Sequence, residues 1–165
     1  MFDRILVPTD FSPPSDAALA CARRLAAQFG SSLHLLHVLE DLTTDRAFGS
    51  EFSLGNAPDV RAAQLKDAQE RLAHRAIADD RRVHPTTEVV FGRSAEAIVD
   101  AAANGNFDLI VMGTHGRSGM AHLIMGSVAE RVIRTASCPV LTLHEVRERA
   151  SGPVKDTRLM GATIV

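Results

Sequence analysis

The residues best suited to chemistry form one run: Gly113-Thr-His-Gly116, nine intervening residues, then Gly126-Ser127. The run lies between an apolar stretch, Phe107-Asp-Leu-Ile-Val-Met112, and a helical pattern that starts near Val128. A strand, a glycine-punctuated loop and a helix start, in that order, make an anion site. Glycine puts no Cβ between a ligand and the main chain. The first amides of a helix lack intrahelical partners, and the helix dipole favours negative charge beside them. Three glycines plus a helix start exceed what a single turn requires. Near the amino end, Pro8-Thr9-Asp10 follows a short strand-like run, Ile5-Leu6-Val7. In an open α/β sheet, ligands bind outside the carboxyl ends of the strands, where connections diverge to opposite sides. There a carboxylate suits the paired hydroxyl donors of a ribose.

Each candidate has a plainer explanation beside it. Asp10 can simply shape its loop as an Asx-turn. Ser127-Val-Ala-Glu130 has the form of a capping box, in which the serine and glutamate satisfy two orphan amides of the helix. The alternative is that Ser127 and its neighbouring amides receive phosphate oxygens. His115 and His122 flank Arg117, which pairs with phosphate or lies in solvent. His34 and His37 are three apart on a strand, so they point to opposite faces and share no metal. No metal-ligand cluster is legible.

Several enzyme classes are unsupported. There is no GxxxxGK[ST], and the two lysines, Lys66 and Lys155, lie outside any glycine loop. Neither GxGxxG nor the GxSxG elbow appears. No nucleophile comes with an assignable base, so fast turnover is not expected.

The elements that must position these residues alternate. Arg4–Val7 reads as a strand ended by Pro8. Ser12-Pro13-Pro14 starts a helix that Gly30 stops. Leu33–Leu39 is a second strand, and Glu40 to Asp59 reads as a long loop, functional or mobile. Val60 to Arg81 reads as a polar helix and Thr86–Phe91 as a strand. Ala95–Ala103 is a helix stopped by Asn104-Gly105-Asn106. Phe107–Met112 is the most apolar strand, Ser127 to Thr135 the last helix, and Cys138–Leu143 the last strand. This alternation predicts an α/β fold with a parallel sheet covered on both faces. Beyond about residue 144 the pattern fades. Residues 145–165 read as a mobile tail, with a strand added to a sheet edge as the other option.

Composition bounds the partners. The chain has 165 residues, 45% of them apolar, enough for one cored domain. A net charge of -2 and the absence of Trp and Tyr argue against nucleic-acid binding. Two distant cysteines, no signal-peptide pattern and no long apolar run predict a soluble, cytoplasmic protein without a membrane span.

Gly113-x2-Gly116-x9-Gly126-Ser127 resembles the nucleotide-binding signature of the universal stress protein family. The opening Ile5-Leu-Val-Pro-Thr-Asp10-Phe-Ser and the closing Cys138-Pro-Val-Leu are similar to that family as well, so the resemblance covers residues 1–144. It implies a five-stranded parallel sheet in the order 3-2-1-4-5 and ATP as the ligand. Asp10 would hold ribose, Pro8 and Thr9 would line the adenine pocket, and the Val38 backbone would meet adenine. Met112 and Gly113 would line the ribose side. Gly116, Arg117, Gly126, Ser127 and Val128 would surround the phosphates, with His115 in the same loop. Mg2+ or Mn2+ would bridge phosphate oxygens without assigned side-chain ligands. The resemblance also implies a homodimer through Val140–Leu143 and a regulatory or sensor role in the stress response. A slow ATPase or phosphotransferase, or a dimerisation module with a vestigial pocket, is the alternative.

Overall fold

The fold is taken from a computed structural model, which describes residues 2–40, 58–77, 83–114, 126–143 and 162–164. Strand β1 (Arg4–Pro8) leads to helix α1 (Pro13–Phe29), then to β2 (Ser32–Glu40) and α2 (Pro58–Ala76). Next come β3 (Thr86–Gly92), α3 (Ser94–Asn104), β4 (Leu109–Gly113), α4 (Ser127–Thr135) and β5 (Val140–Leu143). A last strand, β6, spans Ala162–Ile164. Five strands are parallel in the expected order, and β6 extends the sheet to β3-β2-β1-β4-β5-β6.

Strand periodicity sorts the core. Successive side chains alternate faces, so one strand feeds both layers. Ile5, Val7, Leu33, Leu35, Leu109 and Val111 pack with α1 and with Leu72 of α2. Leu6, Leu36, Ile110, Met112 and Val140 pack with α3 and α4 through Ile98, Ala102, Ala129 and Val132. Ile5, Leu6, Val7, Ile110 and Val111 are fully enclosed. Each side chain of this kind contributes about 1.5–3 kcal/mol. The wholly apolar runs of β1 and β4 are therefore what a sheet covered on both faces requires.

Helix ends follow local chemistry. Gly30 adopts φ 74, and its amide closes α1 on the Ala26 carbonyl at 2.8 Å. That left-handed cap suits glycine. Pro58 starts α2, where a missing N–H costs nothing.

Two strands begin later than expected. The Phe107 amide turns back to the Ala102 carbonyl at 2.9 Å, so β4 starts at Leu109. Pro139 has no amide to give the ladder, and β5 starts at Val140. Helix α2 spans Pro58–Ala76, starting two residues earlier than expected. The expected loop 40–59 falls outside the described residues except at its ends.

The outer side of β5 is not bare. Leu141, Thr142 and Leu143 pair antiparallel with Ile164, Thr163 and Ala162. Of the two options for the tail, residues 162–164 take the edge strand. They occupy the edge through which a second copy was expected to pair.

Candidate functional site

Strand β1 pairs with β2 on one side and β4 on the other. Sheet order reverses there, and a cleft opens at the strands' carboxyl ends, as the crevice rule requires. It takes in about 730 Å³ of empty space, open solvent at its mouth included. Its walls are the ends of β1, β2 and β4 and the first turns of α1, α3 and α4. Pro8, Thr9, Asp10, Val38, Met112, Gly113, Gly126, Ser127 and Val128 all line it. His115, Gly116 and Arg117 lie outside the described residues.

Side chains knit the β1–α1 loop. The Thr9 amide donates to the Leu36 carbonyl at 2.9 Å. His37 Nδ1 lies 2.7 Å from the Thr9 carbonyl, so that nitrogen carries the proton and donates. Ser15 donates to the Ser12 carbonyl at 2.8 Å, which leaves its oxygen to accept from Thr9 Oγ1 at 3.0 Å. Thr9 Oγ1 in turn accepts the Phe11 amide at 3.0 Å. Every one of these buried groups is thereby satisfied, and such networks rigidify a loop. Asp10 does make the Asx-turn: its Oδ1 accepts from the Ser12 amide at 3.1 Å and from Ser12 Oγ at 2.5 Å. The turn engages one carboxylate oxygen, and the residue still lines the cleft. Ser12 is the N-cap of α1, but its hydroxyl serves Asp10 instead of the helix.

Main chain builds the opposite end. The Thr114 amide bonds the Leu143 carbonyl, and the Gly126 amide bonds the Thr114 carbonyl, both at 2.7 Å. Held there with φ -76 and ψ 152, Gly126 becomes the N-cap of α4. Ser127 is therefore the first helical residue, one place later than a capping box needs. No side chain caps this helix. Glu130 reaches forward to Arg134 at 3.8 Å instead. The amides of Ser127, Val128 and Ala129 precede the first intrahelical donor, since the Glu130 amide is the one bonded to the Gly126 carbonyl at 3.0 Å. The Ser127 hydroxyl has no hydrogen-bond partner among the described residues. Three amides, a hydroxyl and the positive end of a helix dipole suit phosphate oxygens.

Gly113 has a packing reason of its own. A Cβ there would lie 3.0 Å from both the backbone carbon and the Cβ of Pro14. The residue is small because α1 starts against the end of β4.

Sequence reasoning missed Ser15, Leu36, His37, Ser94, Ile98, Thr114 and Ala129, which also line the cleft. Alternation on β2 did separate the two histidines. His37 is buried at the cleft, while His34 lies 2.7 Å from Thr86 Oγ1 and 3.1 Å from Glu88 on the far side of the strand. Thr114 adjoins a motif glycine and was within reach of the sequence. Ser94 and Ile98 arrive by the fold of α3 and carried no local signal. No group of three His, Cys, Asp or Glu among the described residues is placed to hold a metal ion. No helix among them is long and apolar enough to cross a membrane.

Comparisons with known proteins agree with this architecture. Residues 1–144 match the universal stress protein family. The chain is 31% identical to universal stress protein MJ0531 of Methanocaldococcus jannaschii over 148 residues, covering 90% of this chain and 85% of that one. The solved structure of MJ0577 from the same organism superposes with a TM-score of 0.76 at 26% identity, covering 90% of this chain and 99% of that one. A universal stress protein solved in complex with cAMP superposes with a TM-score of 0.57 at 26% identity, covering 87% and 97% of the two chains. The chain belongs to the universal stress protein family.

Proposed function

We propose that this protein binds ATP in the cleft between β1 and β4 and serves as a nucleotide-dependent regulator in the stress response. The observation that carries the reading is the pairing of two unlike ends in one cavity. Asp10 lines one part of it, and the uncapped start of α4 with Gly126 lines another. A nucleotide has the matching polarity: vicinal hydroxyl donors on its sugar and anionic oxygens on its phosphates. Pro8 and Thr9 would flank the base, with the Val38 backbone at its edge and Met112 beside the sugar. Gly126, Ser127 and Val128 would receive phosphate oxygens, with His115, Gly116 and Arg117 completing the loop. Mg2+ or Mn2+ would accompany the nucleotide and offset phosphate charge, with no side-chain ligand assigned to it. The cAMP complex of a family neighbour supports a nucleotide-sized ligand in this fold.

Regulation follows if nucleotide binds one conformer better than another, since a ligand shifts an equilibrium only by its differential affinity. We place the protein in the cytoplasm. A homodimer through β5 requires β6 to leave that edge or to exchange between copies. Calorimetric titration with ATP and magnesium, with cAMP as competitor, tests the binding. Wild type should bind and Gly126→Val should bind far more weakly. Equal affinities would remove the phosphate assignment. Steady-state phosphate release with Asp10→Ala as control measures any turnover.

A further inference from the structure

Phe11, the residue after Asp10, adopts φ 66. This left-handed conformation is unfavourable for an aromatic residue and persists only where surrounding structure enforces it. The enforcing contacts come from far along the chain. Phe11 is 8% exposed, and its ring lies 4.3 Å from the His37 ring. The guanidinium carbons of Arg71 and Arg75, both on α2, lie over the same ring at 4.0 and 4.8 Å. Arg75 also donates Nη2 to the Phe11 carbonyl at 3.3 Å. It grips Asp16 of α1 with two nitrogen–oxygen contacts, at 2.7 and 3.3 Å. Arg23 of α1 completes the clasp by donating to the last carbonyls of α2, Arg75 at 2.5 Å and Ala76 at 3.3 Å. That is favourable for a cation at a helix C-terminus.

We propose that Phe11, Arg71 and Arg75 are positioning residues for Asp10, so that helix α2 sets nucleoside affinity from outside the cleft. The proposal rests on the nucleotide reading above. Its physical content is the left-handed turn at residue 11. The turn lets the chain leave β1, present Asp10 to the cleft and enter α1 two residues later. Locally, the Asx-turn supports it through Ser12. The ring stack and the guanidinium bond to the Phe11 carbonyl hold it from α2. Release of α2 lets residue 11 relax, and the carboxylate loses its aim. By linkage the effect is reciprocal: nucleoside in the cleft favours the clasped arrangement of α2.

The experiment measures affinities of wild type, Arg75→Gln, Arg71→Gln, Phe11→Leu, Asp10→Ala and the Asp10→Ala/Arg75→Gln double variant. Ligands are ATP, adenosine and inorganic tripolyphosphate, with melting curves to confirm folding. Arg75→Gln should weaken ATP and adenosine by about tenfold, within the ordinary range of coupling between sites, and leave tripolyphosphate unchanged. In the Asp10→Ala background the same change should have little further effect, because the residues act through one group. Phe11→Leu keeps apolar volume without the ring and should repeat the pattern should Arg75→Gln fold poorly. Amide exchange in α2 should slow when adenosine binds. Additive losses in the double variant, equal loss for tripolyphosphate, or wild-type affinity in the α2 variants overturns the clamp while ATP binding stands. Failure of the wild-type protein to bind ATP or adenosine overturns the nucleotide reading itself, and the clamp with it.

Discussion

The two ends of the cleft are built on opposite plans. Around Asp10 the architecture rests on side chains: Thr9, Ser12, Ser15 and His37 form a linked set of hydrogen bonds within the β1–α1 loop and its neighbour β2. Around Gly126 the described residues contribute mostly main chain, with the Thr114 amide bonded to the Leu143 carbonyl of β5 and the Thr114 carbonyl to the Gly126 amide at the start of α4. The first plan fixes one carboxylate in one direction. The second offers several donors and no bulk, which suits a group with many equivalent oxygens. A side-chain site is tuned by identity, and a main-chain site by the absence of obstruction.

That contrast predicts different kinds of damage. The largest effect is expected at the bare end. Gly126→Val should weaken ATP by on the order of 100-fold, because a branched side chain displaces charge-assisted hydrogen bonds worth about 1.5–3 kcal/mol each. The backbone at φ -76 and ψ 152 accepts valine, so the melting temperature should hold while calorimetric affinity falls. A matching drop in melting temperature would mean that the glycine serves folding instead.

Asp10→Ala comes next, with about a tenfold loss for adenosine and ATP alike, and tripolyphosphate affinity untouched. Selectivity reversed between those ligands would exchange the roles of the two ends. Gly113→Ala lies between them and should cost about 1–3 kcal/mol of stability through crowding against Pro14. Urea unfolding reads that cost, and because Gly113 also lines the cleft, affinity for nucleotide should fall with it. The smallest effect is a control remote from both ends. Burial pushes the Cys21 thiol up, against a lowering influence of Arg24, and burial and then Asp108 push Cys138 up. Unfolded thiols therefore ionise first as pH rises past about 8.5. This contribution to stability is full below that pH and is lost as pH climbs through the folded values. Urea midpoints at pH 7 and pH 10 should differ slightly in that direction, with loss of both thiols to serine removing the difference.

The same contrast explains what could be read in advance. Main-chain sites advertise themselves, since glycines at fixed spacing and a helix start are visible in one dimension. The apolar runs of β1 and β4 were equally plain, because burial on both faces leaves no polar interruption. Side-chain sites assemble across the fold. His37 reaches Thr9 from another strand, and Arg75 reaches Phe11 over 64 intervening bonds of sequence. No periodicity encodes such meetings. At Ser127 the capping-box alternative failed for a narrower reason. The capping-box pattern was present, but the bond from Gly126 to Thr114 moved the helix start by one residue and left the serine hydroxyl outside the cap. Tertiary anchoring outweighed a local preference worth about 1 kcal/mol.

The short strand β6 has a consequence for the proposed homodimer. Three residues of antiparallel pairing hold it on β5, and a backbone hydrogen bond contributes only about 0.5–1.5 kcal/mol net. A latch of that strength opens by thermal fluctuation, and an opened β5 presents an unmet ladder of donors and acceptors. In the proposed homodimer, self-association would be a contest between tethered and foreign strands, decided by protein concentration. Trimming residues 162–165 should shift the monomer–dimer midpoint toward dilution, which sedimentation across a concentration series would reveal.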